Sequence, residues 1–202
     1  MLKAKILDVQ GFNHAIKGMR NSRNSWAKMD SDNCGVGPND LKLMHRLFNA
    51  GTEHRKYARM IIVWVDINAP LYWWKEFDQY KIGTVSNSCS TMYTLTNKPF
   101  ELEDFSFEKL YAYGFYPQRV VEDLNELRER CLKETDPKIK KDLWYSIVQL
   151  LPESYNQTRT IMMNYEVVAR IIQQRNGHKL EEWKQLITIF NQLPYINEIM
   201  EN

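Results

Sequence analysis

LPESYNQTRTIMMNYEVVARIIQQRNGHKLEEW, from Leu151 to Trp183, is the stretch on which the reading of this chain turns. Proline lacks a backbone donor and drives its predecessor out of the helical region. Leu151-Pro152-Glu153-Ser154 therefore reads as the end of one helix and the start of the next, with Ser154 as N-cap. From Thr158 to Gln174 the residues Ile161, Met162, Tyr165, Val168, Ile171 and Ile172 recur at steps of one, three and four, which predicts an amphipathic helix. On such a helix Asn164 and Arg175 lie about three turns apart on a similar side, roughly 16 Å, the span of a nucleotide or part of a flavin. A cation just before Asn176-Gly177 also suits a plain C-terminal cap, so both readings of Arg175 stand.

Upstream, Leu2 to Phe12 reads as a strand leading into Gly11. Gly18 to Trp26 reads as a polar loop rich in donors, in which Arg20 and Arg23 can meet an anion and Trp26 can cover a ring; a solvated loop fits equally. Asn39-Asp40 can cap a helix from Leu41 to Ala50 that Gly51 ends. Met60 to Ile67 is apolar and β-branched, the clearest strand in the chain. Pro70 then opens a helix carrying Trp73, Trp74 and Phe77, with Tyr80 beyond. Trp73, Trp74 and Tyr80 suit either a core or stacking on a ligand ring. In Gly83 to Ser90, six of eight residues are Gly, Ser, Thr or Asn, types suited to close backbone approach and hydrogen bonding to a phosphate. Glu122–Glu134 and, after Asp136-Pro137, Lys138–Leu151 read as amphipathic helices. Leu180–Leu193 reads as a helix facing Trp183, Leu186, Ile187 and Phe190 inward. This order of strands followed by helices predicts an α+β fold.

The 202 residues, 44% of them hydrophobic, suffice for one domain, 1–202, with a sizeable core. A net charge of +2 makes no electrostatic case for duplex nucleic acid or an anionic membrane. No apolar run approaches the roughly 20 residues of a spanning helix, and the N-terminus lacks a secretory apolar segment, so a cytoplasmic location is expected. Cys34, Cys89 and Cys131 lie far apart with no C-x-x-C pair, so neither a disulfide framework nor a metal site is expected. Cys89 is expected to be a free, packed thiol.

The run L-P-x-S-x(9)-N-x(10)-R-x(2)-H, from Leu151 to His178, resembles the C-terminal half of the flavin-dependent thymidylate synthases. Asn164 falls on that family's flavin-contacting asparagine, Arg175 on its dUMP-binding arginine and His178 on its histidine. The family signature R-H-R-x(2)-S-x-N-E-x-S-x-R-Y corresponds to Tyr80 through Tyr93. Asn87, Ser90 and Tyr93 match, whereas the three basic positions at its head are Tyr80, Lys81 and Ile82, the glutamate is Ser88 and the late arginine is Met92. Leu43–Gly51 resembles the helix before the family's G-H-x-S-x-x-E-H element, most of which Thr52, His54 and Tyr57 replace. The likeness spans residues 40 to 195.

The resemblance implies an α+β fold with a central, mainly antiparallel sheet packed by helices, and a homo-oligomer, a tetramer, with sites between subunits. It implies FAD-mediated reductive transfer of a one-carbon unit from methylenetetrahydrofolate to dUMP, with NADPH as reductant and no protein nucleophile. Asn164, His178 and Asn87 are then expected at the flavin, and Arg175, Lys81, Ser86, Ser88 and Ser90 at the nucleotide. Losing two phosphate-gripping arginines removes bidentate geometry that lysine does not restore, which opens a different alternative: a non-catalytic homologue that binds or sequesters a nucleotide or a protein partner.

Overall fold

The computed structural model describes residues 1–201; Asn202, the last residue of the expected domain, lies outside them. Helices and strands are mixed, as expected. Strand β1 (Lys3–Gln10) is followed by α1 (Phe12–Arg20), α2 (Pro38–Asn49), β2 (Ile62–Pro70) and α3 (Leu71–Phe77). Then come β3 (Thr84–Ser88), α4 (Thr91–Thr94), α5 (Glu108–Ala112), α6 (Gln118–Lys133) and α7 (Pro137–Leu150). The chain finishes with β4 (Asn156–Asn164), α8 (Tyr165–Arg175), α9 (Glu181–Phe190) and α10 (Ile196–Met200). The four strands form an antiparallel sheet in the order β1-β2-β4-β3.

Central strand β2 shows why this sequence makes a sheet. Val63, Val65, Ile67 and Ala69 are fully buried at every second position, the period of a strand with one face on a core. Its β4 neighbour is tied to it by polar pairs as well as the ladder. Thr160 donates to Asp66 at 2.6 Å, and Asn68 donates to Thr158 at 2.8 Å.

Packing divides the chain into two compact units. One comprises Lys3–Ile67, Gln79–Asn87 and the chain from Thr160 onward, with Met44, Phe48, Ile161, Tyr165, Trp183 and Phe190 in its core. The other comprises Met1–Leu2, Asn68–Asp78 and Ser88–Arg159. There Phe100, Phe105, Phe107, Leu124, Leu143 and Ile147 form one cluster, and α6 and α7 pack against each other. In the same unit Trp73 stacks on Phe77 and both meet Trp74 edge to face, Trp74 Nε1 donating to the Gln157 carbonyl at 3.0 Å.

Several expectations change. The helix expected from Thr158 is strand β4 as far as Asn164, and α8 begins only at Tyr165. Gln157, Ile161 and Met163 are buried at even steps, and the Ile161-Met162 pair satisfied both periods in the sequence. Ser154 caps nothing: it lies in the turn before β4, where its carbonyl accepts the Ser106 N–H at 2.8 Å. Gly18–Trp26 is not one loop, because α1 runs through Arg20. The Gly83–Ser90 stretch is mostly edge strand β3. Helix α2 starts at Pro38 after Gly37, not on an Asn39-Asp40 cap. Trp73 and Trp74 are buried in the core and offer no ring to a ligand, and Cys89 is exposed, not packed. No helix among the described residues is long and apolar enough to cross a membrane.

Candidate functional site

The last turn of α8 and the chain just after α3 enclose a cleft of about 420 Å³. Gln79, Tyr80, Lys81, Ile82, Arg170, Gln174 and Arg175 line it, so three of its seven lining residues are cations and none is a carboxylate. Helical spacing explains the grouping. Arg170 and Gln174 are four apart and share a face, with Arg175 beside them at the helix end.

Aromatic rings fix Arg175. Its guanidinium carbon stands 4.6 Å from the ring centre of buried Trp183 and 5.5 Å from that of Tyr80, a pair of cation–π contacts. Its Nε donates to the Tyr80 hydroxyl at 2.9 Å, and that hydroxyl donates onward to Gln174 Oε1 at 3.2 Å. Arg170 stands over the same Tyr80 ring, also at 5.5 Å. Its Nε is buried with no hydrogen-bond partner among the described residues. Tyr80 therefore holds two guanidinium groups at one cleft, each in cation–π contact with its ring.

His178 lies one turn beyond Arg175. Its ring is 6.2 Å from Trp183, and its Nδ1 accepts the Leu180 N–H at 3.1 Å, which places the ring proton on Nε2. Asn164 stands at the other end of α8 as its N-cap, Oδ1 accepting the Val167 N–H at 3.0 Å. Its Nδ2 packs on Gly83, where an added Cβ would come within 2.5 Å of it. Gly83 has φ +79, so this position is closed to a side chain on two counts.

The structure thus brings Lys81 and Arg175 together at the cleft, sets His178 beside the Trp183 ring that supports Arg175, and puts Asn164 at the far end of the helix. Ser86, Asn87 and Ser88 lie exposed on β3, and Ser90 caps the short α4, its carbonyl accepting Thr94 Oγ1 at 2.7 Å; none of the four lines the cleft. Arg170 and Gln174 were missed in the sequence. The signal for them is the i, i+4 spacing that leads to Arg175.

Arg20 needs a correction too. It is 5% exposed and pairs with the fully buried Asp40 at 2.6 Å, so it is not a loop cation awaiting an anion. Asp40 Oδ2 also accepts the N–H groups of Asp30 and Ser31, both at 3.0 Å, and the Ser31 hydroxyl at 2.7 Å. Burial alone would raise the Asp40 carboxyl, but its hydrogen bonds from Ser31, Asp30 and Arg20 outweigh that and hold it below the ordinary aspartate range.

No protein-family model matches the chain, and no curated protein matches it in sequence. Solved structures do. Thymidylate synthase X from Helicobacter pylori with FAD and dUMP superimposes with a TM-score of 0.73 at 20% identity, covering 100% of both chains. Flavin-dependent thymidylate synthase ThyX of the same organism, complexed with FAD and dUMP, gives a TM-score of 0.73 at 21% identity over 98% of this chain and 97% of that one. At such identity the likeness establishes the fold, and the chain has the fold of a flavin-dependent thymidylate synthase.

Proposed function

We propose that this chain binds a pyrimidine nucleotide of the dUMP kind, gripping its phosphate in the Lys81–Arg170–Arg175 cleft. The observation that carries the reading is the pair of arginines held at the Tyr80 ring in a cleft with no lining carboxylate. Guanidinium forks match the geometry of phosphate oxygens, and an orphaned buried Nε is a donor that such an oxygen would satisfy. A site of this volume lies within the roughly 300–1,000 Å³ usual for small-molecule clefts.

FAD fits these residues less well. Asn164 Oδ1 is committed to the α8 N-terminus, Trp73 and Trp74 are buried, and Asn87 lies on an exposed strand away from the cleft lining. His178 Nε2 is a donor not committed to a hydrogen bond described here. We therefore derive no step through a flavin. The second reading, reductive one-carbon transfer to the nucleotide with FAD, NADPH and methylenetetrahydrofolate in a tetramer, rests on the full-length likeness in fold to structures holding FAD and dUMP.

One titration series separates the two. The purified chain is titrated with dUMP by calorimetry, and its absorbance is followed from 300 to 550 nm as FAD is added. Saturable dUMP binding without flavin bands that co-elute with the protein supports the nucleotide-binding reading. Stoichiometric flavin supports the second. Absence of dUMP binding in either state overturns the first.

A further inference from the structure

A larger cleft, about 800 Å³, runs along the outer side of α2, and the nucleotide reading makes no use of it. Lys42 and Arg46 come from α2 one turn apart, and Lys28 comes from the 3-10 turn Trp26–Lys28. All three side chains are exposed, and none has an ion-pair or hydrogen-bond partner among the described residues. Arg20 also lines the cleft, but Asp40 holds its guanidinium. No lining residue is a carboxylate. His45 and Asn49 are turned toward the end of the chain, His45 Nδ1 lying 3.2 Å from the Glu198 carbonyl and Asn49 donating to that of Glu201 at 3.0 Å, so they bound the cleft without supplying its charge.

Like charges at i, i+4 on a helix repel, and unpaired cations gathered around one concavity raise its local potential. An anion relieves both. We propose that the α2 cleft is a second binding site, for a ligand bearing a di- or triphosphate. At i, i+4 the Cβ atoms of Lys42 and Arg46 are about 5–6 Å apart, close enough for both long side chains to reach one such phosphate chain. Arg46 offers the bidentate fork, Lys42 and Lys28 act as point charges, and Asn39 adds an amide at the N-terminal end. Leu43 and the aliphatic stems of the basic residues give the uncharged part of the ligand an apolar floor.

The test is calorimetric titration of the full-length chain with inorganic tripolyphosphate at low salt. Wild type is compared with Lys42→Ala/Arg46→Ala, Lys28→Ala, Arg175→Ala and Lys133→Ala, the last an exposed control on α6. The double variant is expected to weaken binding by at least about tenfold and Lys28→Ala by about threefold or more, each losing one charge-assisted contact per residue removed. Lys133→Ala is expected to leave binding as in wild type, while Arg175→Ala, which takes a cation from the α8 cleft, is expected to remove only the part of the binding that belongs to that cleft and to leave the α2 part in place. All the α2-cleft substitutions are of exposed side chains, and thermal melts of each variant confirm that the fold persists. The proposal is overturned if wild type does not bind tripolyphosphate, if the double variant and Lys28→Ala bind as wild type does, or if Lys133→Ala weakens binding equally.

Discussion

Asp40 has no surface exposure, yet it meets Arg20, Ser31 and the backbone of Asp30, so its charge is kept by partners rather than by water. Removing one partner of a buried pair leaves the other charge stranded, which costs about 3–5 kcal/mol. Asp40→Asn is therefore expected to lower unfolding free energy by about 3 kcal/mol, measurable in urea. The same lowered carboxyl sets a pH dependence. Because the folded state holds the proton less tightly than the unfolded chain, its contribution is complete above the ordinary aspartate value of about 3.9 and is lost as pH falls through the lower folded value. Acid melts of wild type should show this loss, and melts of Asp40→Asn should lack it. At Arg175 the expected cost falls on binding. Its replacement by alanine should weaken dUMP affinity by about 1.5–3 kcal/mol, the worth of hydrogen bonds to a charged group, with stability changed less than affinity. Unchanged affinity in calorimetry would return Arg175 to the helix-capping role that its place before Asn176-Gly177 also suits.

Among elements, α8 repays the closest comparison between sequence and structure. Its boundary was not legible in the apolar pattern, because Ile161 and Met162 fill both a two-residue and a 3.6-residue repeat; what settles it is partner choice. β4 has β2 beside it, so Thr158 and Thr160 pair across strands, and β-branched residues belong there. By contrast, Asp136-Pro137 announced α7 locally, and the structure shows Asp136 accepting the N–H groups of Lys138 and Ile139 at 2.8 and 3.2 Å. β2 was equally clear, since a run of β-branched apolar residues that long has no other good use. The cleft at the end of α8 was half legible: Arg175, Lys81 and Tyr80 stood out, whereas Arg170 joins them through its tertiary contact with the Tyr80 ring, to which i, i+4 spacing from Gln174 was the only pointer. The true start of α8 yields a test. Asn164→Ala removes the N-cap and should cost about 1 kcal/mol, while Asn164→Ser, which keeps an accepting oxygen, should recover most of it. Should flavin binding instead fall with stability unchanged, Asn164 would belong to a ligand site rather than to the helix.

Across the whole molecule, the net charge of +2 hides how the cations are used. On α6 they are spent along the helix: Arg119 pairs with Asp123 at 2.7 Å, Lys133 with Glu129 at 3.5 Å and Arg130 with Glu126 at 3.9 Å. Such exposed pairs contribute little to stability, but they leave that surface without a field to attract an anion. Lys81 and Arg170 have no such ion pairs among the described residues and share one cleft with Arg175. Near-neutrality describes the sum of charges only; a small anion responds to local potential. Ligand binding to the native state alone then becomes a stability effect. At dUMP concentrations 100 times the dissociation constant the gain is about 2.7 kcal/mol, which for a chain of this size corresponds to a rise of roughly 5–11 °C in Tm. Added salt should shrink that rise by weakening binding, since the contacts are ionic and lie in an open cleft. Arg175→Ala should shrink it further at the same dUMP concentration. A rise that survives both high salt and the Arg175→Ala substitution would mean that the nucleotide is held by something other than these guanidinium groups.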